Sequence, residues 1–502
     1  MPLFTSTGGA AVSHSVAREY LASCGGLQRV GAFAAVAALA AGAWSCSGQG
    51  SGGFGPLSDL AGQTPAVAAH VRAAYAEATR QPRSAITVGA LCTAYHADLL
   101  FTAAARCYDA LAAIDDGWRW RYARALIDIE LGGDGQLADR LRRIAVAAPG
   151  FAPVWLRLGD AEFKAARYDA AAEAWRRAAT LAPPDAAPTG DGPPHVPEVP
   201  LSAYASLGLA RVALVANDPG GARDILERVA AATPSFGPAF RLLAESYRAL
   251  GREADAGRAV YQAGRRPGFT PFADPIVDGL TRQSRNSTLL LRVASDATLT
   301  VNAAWSEYLV RRAVEFDPGN PDAVLKLARV LRTLERNDEA LTLFLKYAAM
   351  VPGDYLALAH IGSCLSALGR YTEAEDYFRK SLAGLDDATT HYNLGLLMSM
   401  TGRLPGAERE YRRALALDPA HADARGNLGP LLARMGRMRD ASDELRRLVA
   451  DDPENVAALT NLGVVLIQQG RASDAREYLE RALHLAPEMP QAQAALAALG
   501  AK

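Results

Sequence analysis

Asn393, Asn427 and Asn461 stand 34 residues apart, each opening the same tripeptide, Asn-Leu-Gly. A carboxamide carries a donor and an acceptor on one planar group, so it can hold a peptide backbone amide whatever side chains that peptide bears. Three of them at a fixed interval are either a binding ladder or the packing rhythm of a repeat. Groups suited to covalent or metal chemistry form no comparable set. The eight histidines (His14, His70, His96, His195, His360, His391, His421, His484) are scattered, with no pair at the His-Glu-x-x-His spacing that holds a metal. Neither the phosphate-cradling Gly-x-x-x-x-Gly-Lys-Ser/Thr loop nor the Gly-x-Ser-x-Gly nucleophile elbow occurs. The acidic pairs Asp115–Asp116, Asp386–Asp387 and Asp451–Asp452 fall where helices would meet, and carboxylates there favour turns and helix starts. The expectation is no catalysis, no cofactor and no metal.

Composition narrows the partners. Lysine plus arginine number 53 against 54 acidic residues, a net charge of −1, which leaves no electrostatic footprint for nucleic acid. The aromatic and basic run "GWRWRY", Gly117 to Tyr122, places Trp118 and Tyr122 one helical turn apart and reads as core packing rather than base stacking. Only five residues are lysine and alanine is abundant, the bias of a GC-rich bacterial genome, where the sequon Asn286-Ser287-Thr288 is accidental. Between Arg29 and Cys46, "RVGAFAAVAALAAGAWSC" has a basic residue, an apolar run and small residues, the pattern of a signal peptide. The run is too short and alanine-rich for a membrane span, which needs about 20 apolar residues. Cleavage after Ala43 and lipidation of Cys46 both fit, and the "SGQGSGGFG" that follows reads as a flexible tether. The chain is expected to be exported, to a bacterial periplasm or as a membrane-tethered lipoprotein, with a lipid on Cys46 its one link to a membrane. If residues 84–96 and 101–113 form antiparallel helices, Cys92 and Cys107 fall level with each other. They are then either a disulfide or two small buried side chains.

The elements that must position the asparagines are legible in the period. Blocks starting at Tyr355, Ala388, Ala422 and Val456 lie 33, 34 and 34 residues apart. Within each, position 8 is glycine (Gly362, Gly395, Gly429, Gly463), position 15 is glycine (Gly369, Gly402, Gly436, Gly470) and position 20 is alanine (Ala374, Ala407, Ala441, Ala475). A bulky residue follows at position 24 (Phe378, Tyr411, Leu445, Leu479). Apolar residues at 4, 7 and 11, then at 20, 24 and 27, are two helical stripes broken by Gly-Arg, so each block is a helix-turn-helix pair. Small residues at 8 and 20 allow close helix approach, within about 8–10 Å.

This pattern resembles the tetratricopeptide repeat (TPR) family, whose small residue at 8, alanine at 20 and closing proline (Pro419, Pro453, Pro487) stand here. The stretch "WLRLGDAEFKAARYDAAAEAWRRAATLAP" keeps the register upstream, with Trp155, Leu158, Gly159, Tyr168, Ala171, Trp175, Ala178 and Pro183. The resemblance implies an all-α fold, a right-handed α-solenoid of about eleven helix pairs plus a capping helix at "PQAQAALAALGAK". The expected organisation is a leader (1–46), a Gly/Ser-rich tether (47–65), N-terminal repeats (66–183), a Pro-rich insert (184–200), two pairs (201–267), an irregular insert (268–286) and a C-terminal array (287–502). A hinge or a change of superhelix direction is expected at either insert.

In such arrays, positions 2, 5, 6, 9, 12 and 13 of the first helix of each pair, helix A, line a concave groove. Carried onto this chain they include Tyr392, Asn393, Leu396 and Ser399, then Asp423, Asn427 and Arg434, then Thr460, Asn461, Val464 and Gln468. With helices about 9–10 Å apart, the asparagines match every third residue of an extended chain at about 3.3 Å each. That arrangement is similar to the asparagine ladder in the TPR superhelix of O-linked N-acetylglucosamine transferase; equivalent positions upstream hold His360, Lys326 and Arg157. The other reading is that asparagine at position 6 is common in such repeats and bonds locally. Pro430 inside helix A either kinks the groove or is absorbed by its neighbours. The implied function is a non-catalytic scaffold that holds a protein or extended peptide in the groove and assembles or regulates an envelope complex. The alternative is the accessory arm of a transferase or cytochrome system whose catalytic part is another chain.

Overall fold

The computed structural model describes residues 53–132, 135–181, 193, 199–264, 266, 272–296 and 302–500. The leader, Cys46 and most of the Pro-rich insert lie outside them. Among the described residues there are 25 helices and no strand, so the chain is an all-α solenoid of helix pairs.

Contacts divide it into two units, Met1–Ala323 and Val324–Lys502. The first holds the pairs Ala85–Ala97 with Phe101–Leu111, Trp118–Glu130 with Leu137–Ala147, and Ala152–Lys164 with Tyr168–Thr180. Leu201–Val215 with Pro219–Ala232, Gly237–Ala249 with Glu253–Gly264, and Ser287–Asp296 with Ala303–Phe316 follow. Two helices of this unit are unpaired, Pro65–Arg80 and Pro275–Gln283. The boundary falls inside helix Pro321–Thr333, which Asn337–Met350 follows. Then come Tyr355–Ala367 with Tyr371–Gly384, Ala388–Met400 with Leu404–Leu417, Ala422–Arg434 with Met438–Asp451, and Val456–Gln468 with Ala472–Leu485, before the last helix Pro490–Gly500.

The periodic small residues act as the helix contacts require. A Cβ on Gly395 would stand 2.8 Å from the Tyr411 ring, and one on either Gly159 or Gly208 would meet Trp175 at 2.4 Å. Glycine at position 8 therefore makes room for the bulky residue at 24, and Trp175 fills the space between two pairs. At position 15, Gly369, Gly402, Gly436 and Gly470 all take φ between +76° and +78°, the left-handed turn that ends helix A. Leu99, Ala166 and Glu335 adopt the same turn without being glycine, at φ of 65°, 58° and 59°.

Four sequence expectations need correction or completion. The tether is not free along its whole length, because Phe54 and Leu60 are buried against the first helices and Ser58 N donates to Tyr95 Oη at 3.3 Å. An aromatic and a leucine in a Gly/Ser-rich stretch have apolar surface to hide, and the first pair offers it. Within the insert 268–286, the described part is ordered: Asp274 accepts from the Ile276 and Val277 amides and starts the helix Pro275–Gln283, with Pro275 in its first turn. Cys92 and Cys107 are joined in a disulfide, Cα atoms 5.2 Å apart, and closing a 15-residue loop is worth about 3 kcal/mol. Pro430 leaves its helix unbroken from Ala422 to Arg434.

Candidate partner-binding faces

Helix A of each pair in the C-terminal unit presents the residues singled out by spacing. They do not act as one set. Asn427 Nδ2 donates to Tyr392 Oη at 3.1 Å, across from one helix A to the next, and the Tyr392 ring lies 5.1 Å from that of His421. This carboxamide is thus engaged by the helix A of the preceding pair. Asn393 and Asn461 are partly buried, and neither has a hydrogen-bond partner among the described residues. Arg434 Nη1 donates to Ser399 Oγ at 3.3 Å, while Gln468 is exposed.

The start of this face is basic. Lys326, Arg329 and Arg332 occupy positions 6, 9 and 12 of helix Pro321–Thr333. Three residues apart, they share one helix face. Arg332 Nε is buried without a hydrogen-bond partner. The next residue at position 6, His360, lies 5.1 Å from the Phe344 ring, and burial, reinforced by Arg332 and Arg329, lowers its pKa to about 4. Lys326 is legible in the sequence as the position-6 counterpart of the asparagines, and Arg329 and Arg332 follow it at positions 9 and 12 of the same helix.

The N-terminal unit differs: its corresponding face is covered. Tyr122 Oη donates to Asp274 at 2.6 Å, and Arg157 Nη2 donates to the same carboxylate at 3.1 Å. Tyr122 and Arg157 are at positions 5 and 6 of their helices, and Asp274 lies 152 residues beyond Tyr122. Burial raises the Tyr122 pKa well above its ordinary value, with the adjacent Asp274 adding to it. Burial works against the charge of Arg157, but Tyr122 and Asp274 outweigh it and hold the guanidinium firmly protonated. Asp98, itself buried, accepts from His70 Nδ1 and from the Arg285 amide, both at 2.7 Å. Asn286, the sequon residue, accepts from the Leu289 amide at 3.1 Å and so caps a helix. His96 sits in the core between Phe101 and Tyr108, where burial lowers its pKa to about 4.

Among the described residues, no group of three His, Cys, Asp or Glu side chains could hold a metal ion, and no helix is long and apolar enough to cross a membrane. Antiparallel helix pairs stacked on a shared core, each presenting one helix to a common face, define an α-solenoid repeat protein. Two tetratricopeptide repeat models match the sequence, one over residues 207–268, 303–355 and 427–490 and the other over 354–420. The chain is a tetratricopeptide-repeat protein, of the kind that supports protein–protein interaction. Solved structures with similarity include YrrB, a TPR protein with an unusual peptide-binding site, at 24% identity and TM-score 0.31, covering 37% of this chain and 96% of YrrB. PilW, a type IV pilus biogenesis factor, is 22% identical with TM-score 0.39, covering 42% of this chain and 98% of PilW. PilF of Pseudomonas aeruginosa is 19% identical with TM-score 0.37, covering 42% and 97%. No curated protein matches the chain.

Proposed function

We propose that this protein is a non-catalytic scaffold whose face on helices Pro321–Thr333 to Val456–Gln468 holds an extended segment of a partner protein. Its place is an exported, envelope-associated complex. The observation that carries the reading is the pair Asn393 and Asn461, partly buried carboxamides without hydrogen-bond partners on that face. A partly dehydrated amide gains when a backbone N–H and C=O reach it, and it asks nothing of the partner's side chains. Asn427 is bonded to Tyr392, so it shapes the wall between the two open amides rather than serving as a third rung. The stretch Lys326, Arg329 and Arg332 extends the face with positive charge.

The test is photocrosslinking in the native cell from a benzoylphenylalanine placed at Leu396 or Val464, with Tyr377 on a second helix as control. A polypeptide adduct from the first two positions is expected, lost when Asn393→Ala and Asn461→Ala are combined and helicity is unchanged by circular dichroism. Adducts that form equally from Tyr377, or that survive the double change, would refute this reading.

A further inference from the structure

The covered face of the N-terminal unit carries its own information about ligands. Residues 272–286 run along it from the fourth pair back to the first. The Phe272 ring lies 5.7 Å from that of Tyr204, with the Arg157 guanidinium 5.0 Å from its centre. Two residues on, Asp274 takes hydrogen bonds from Tyr122 and Arg157. Ile276 then packs against the cores of the first two pairs, and the Arg285 amide reaches Asp98.

We propose that this face is a second polypeptide-binding site, distinct from that of the C-terminal unit, with residues 272–286 as its resident and displaceable occupant. The ligand class is set by the occupant: an aromatic residue two places before an aspartate that starts a helix. Each anchor has a physical reason. The carboxylate neutralises Arg157, which sits on this face with a side chain only 19% exposed, and no neutral side chain would do so. The aromatic ring receives the guanidinium face and stacks beside Tyr204. The nine-residue helix Pro275–Gln283 is shorter than the roughly 12–15 residues at which isolated helices become even marginal. It is therefore helical because it is seated, and a competing segment would fold as it binds. Tethering gives the resident segment an effective concentration on the order of millimolar. An outside segment with the same anchors is consequently kept off until the resident one is weakened.

The experiment uses the full chain and a fluorescein-labelled peptide FADPIVDGLTRQSRN, the sequence of residues 272–286, read by anisotropy. Asp274→Arg sets two like charges against each other and should eject the resident segment, so that the peptide binds at least tenfold more tightly than to wild type. Adding Arg157→Ala, or replacing the peptide's aspartate by alanine, should remove that gain. Binding no tighter than to wild type, by an Asp274→Arg protein of unchanged helicity, would overturn the proposal. Hydrogen exchange on wild type tests it without a variant. Amides of 276–283 should exchange by local opening at least tenfold faster than those of Ala152–Lys164. Exchange of both sets only through global unfolding would show a fixed part of the core and overturn it.

Discussion

His96 shows how a titratable side chain becomes a stability switch when its surroundings are aromatic. Its pKa falls from an ordinary 6.5 to about 4 because burial disfavours the cation. The unfolded chain therefore binds a proton that the folded one refuses, and the contribution of neutral His96 is whole above about pH 6.5 and lost as pH falls toward 4. The slope is up to about 1.4 kcal/mol per pH unit. All six tryptophans precede residue 324, so their fluorescence follows the N-terminal unit alone. Between pH 7 and 5, wild type should lose about 2 kcal/mol more stability than His96→Phe; equal losses would assign the acid sensitivity elsewhere. Neither Asn427 nor Arg157 could be assigned a role from spacing. Both occupy position 6, yet one bonds a neighbouring tyrosine and the other an aspartate more than a hundred residues away.

At the scale of elements, the left-handed turn after helix A is the feature on which the pair depends. Glycine supplies it at no steric cost in most of the C-terminal pairs, whereas exposed Glu335 is held at φ 59°. For a residue with a Cβ that conformation costs about 1–2 kcal/mol, partly offset because glycine is freer when unfolded. Glu335→Gly should thus raise stability by about 0.5–1 kcal/mol, measured by denaturant unfolding with circular dichroism, while Glu335→Ala should gain nothing. A loss with glycine would mean that the Glu335 side chain holds the turn. The helix Pro275–Gln283 makes a different point, since its Asp-Pro start and apolar Ile276, Val277 and Leu280 are ordinary helix signals. They were obscured in the sequence because the segment belongs to no repeat, and its stability comes from the face that receives it.

For the molecule as a whole, a stack of pairs has two ends, and each end must be covered. Ala492 of the last helix Pro490–Gly500 is fully buried, so deleting residues 490–502 should uncover apolar surface of the last pair, lower the melting temperature and cause association seen by light scattering. Unchanged melting and a monodisperse protein would deny that helix a capping role. The sequence by itself determined the all-α pairs, their turns, the small residues at their contacts and the family. Those follow from local rules of helix periodicity, glycine turns and close approach, repeated every 34 residues, in which each pair answers only to its neighbours. Only the tertiary structure decided which polar groups meet: Tyr392 with Asn427, Arg157 and Tyr122 with Asp274, Asp98 with Arg285. Such meetings depend on packing between elements distant in sequence, and a hydrogen bond, unlike a helix, leaves no periodic trace along the chain.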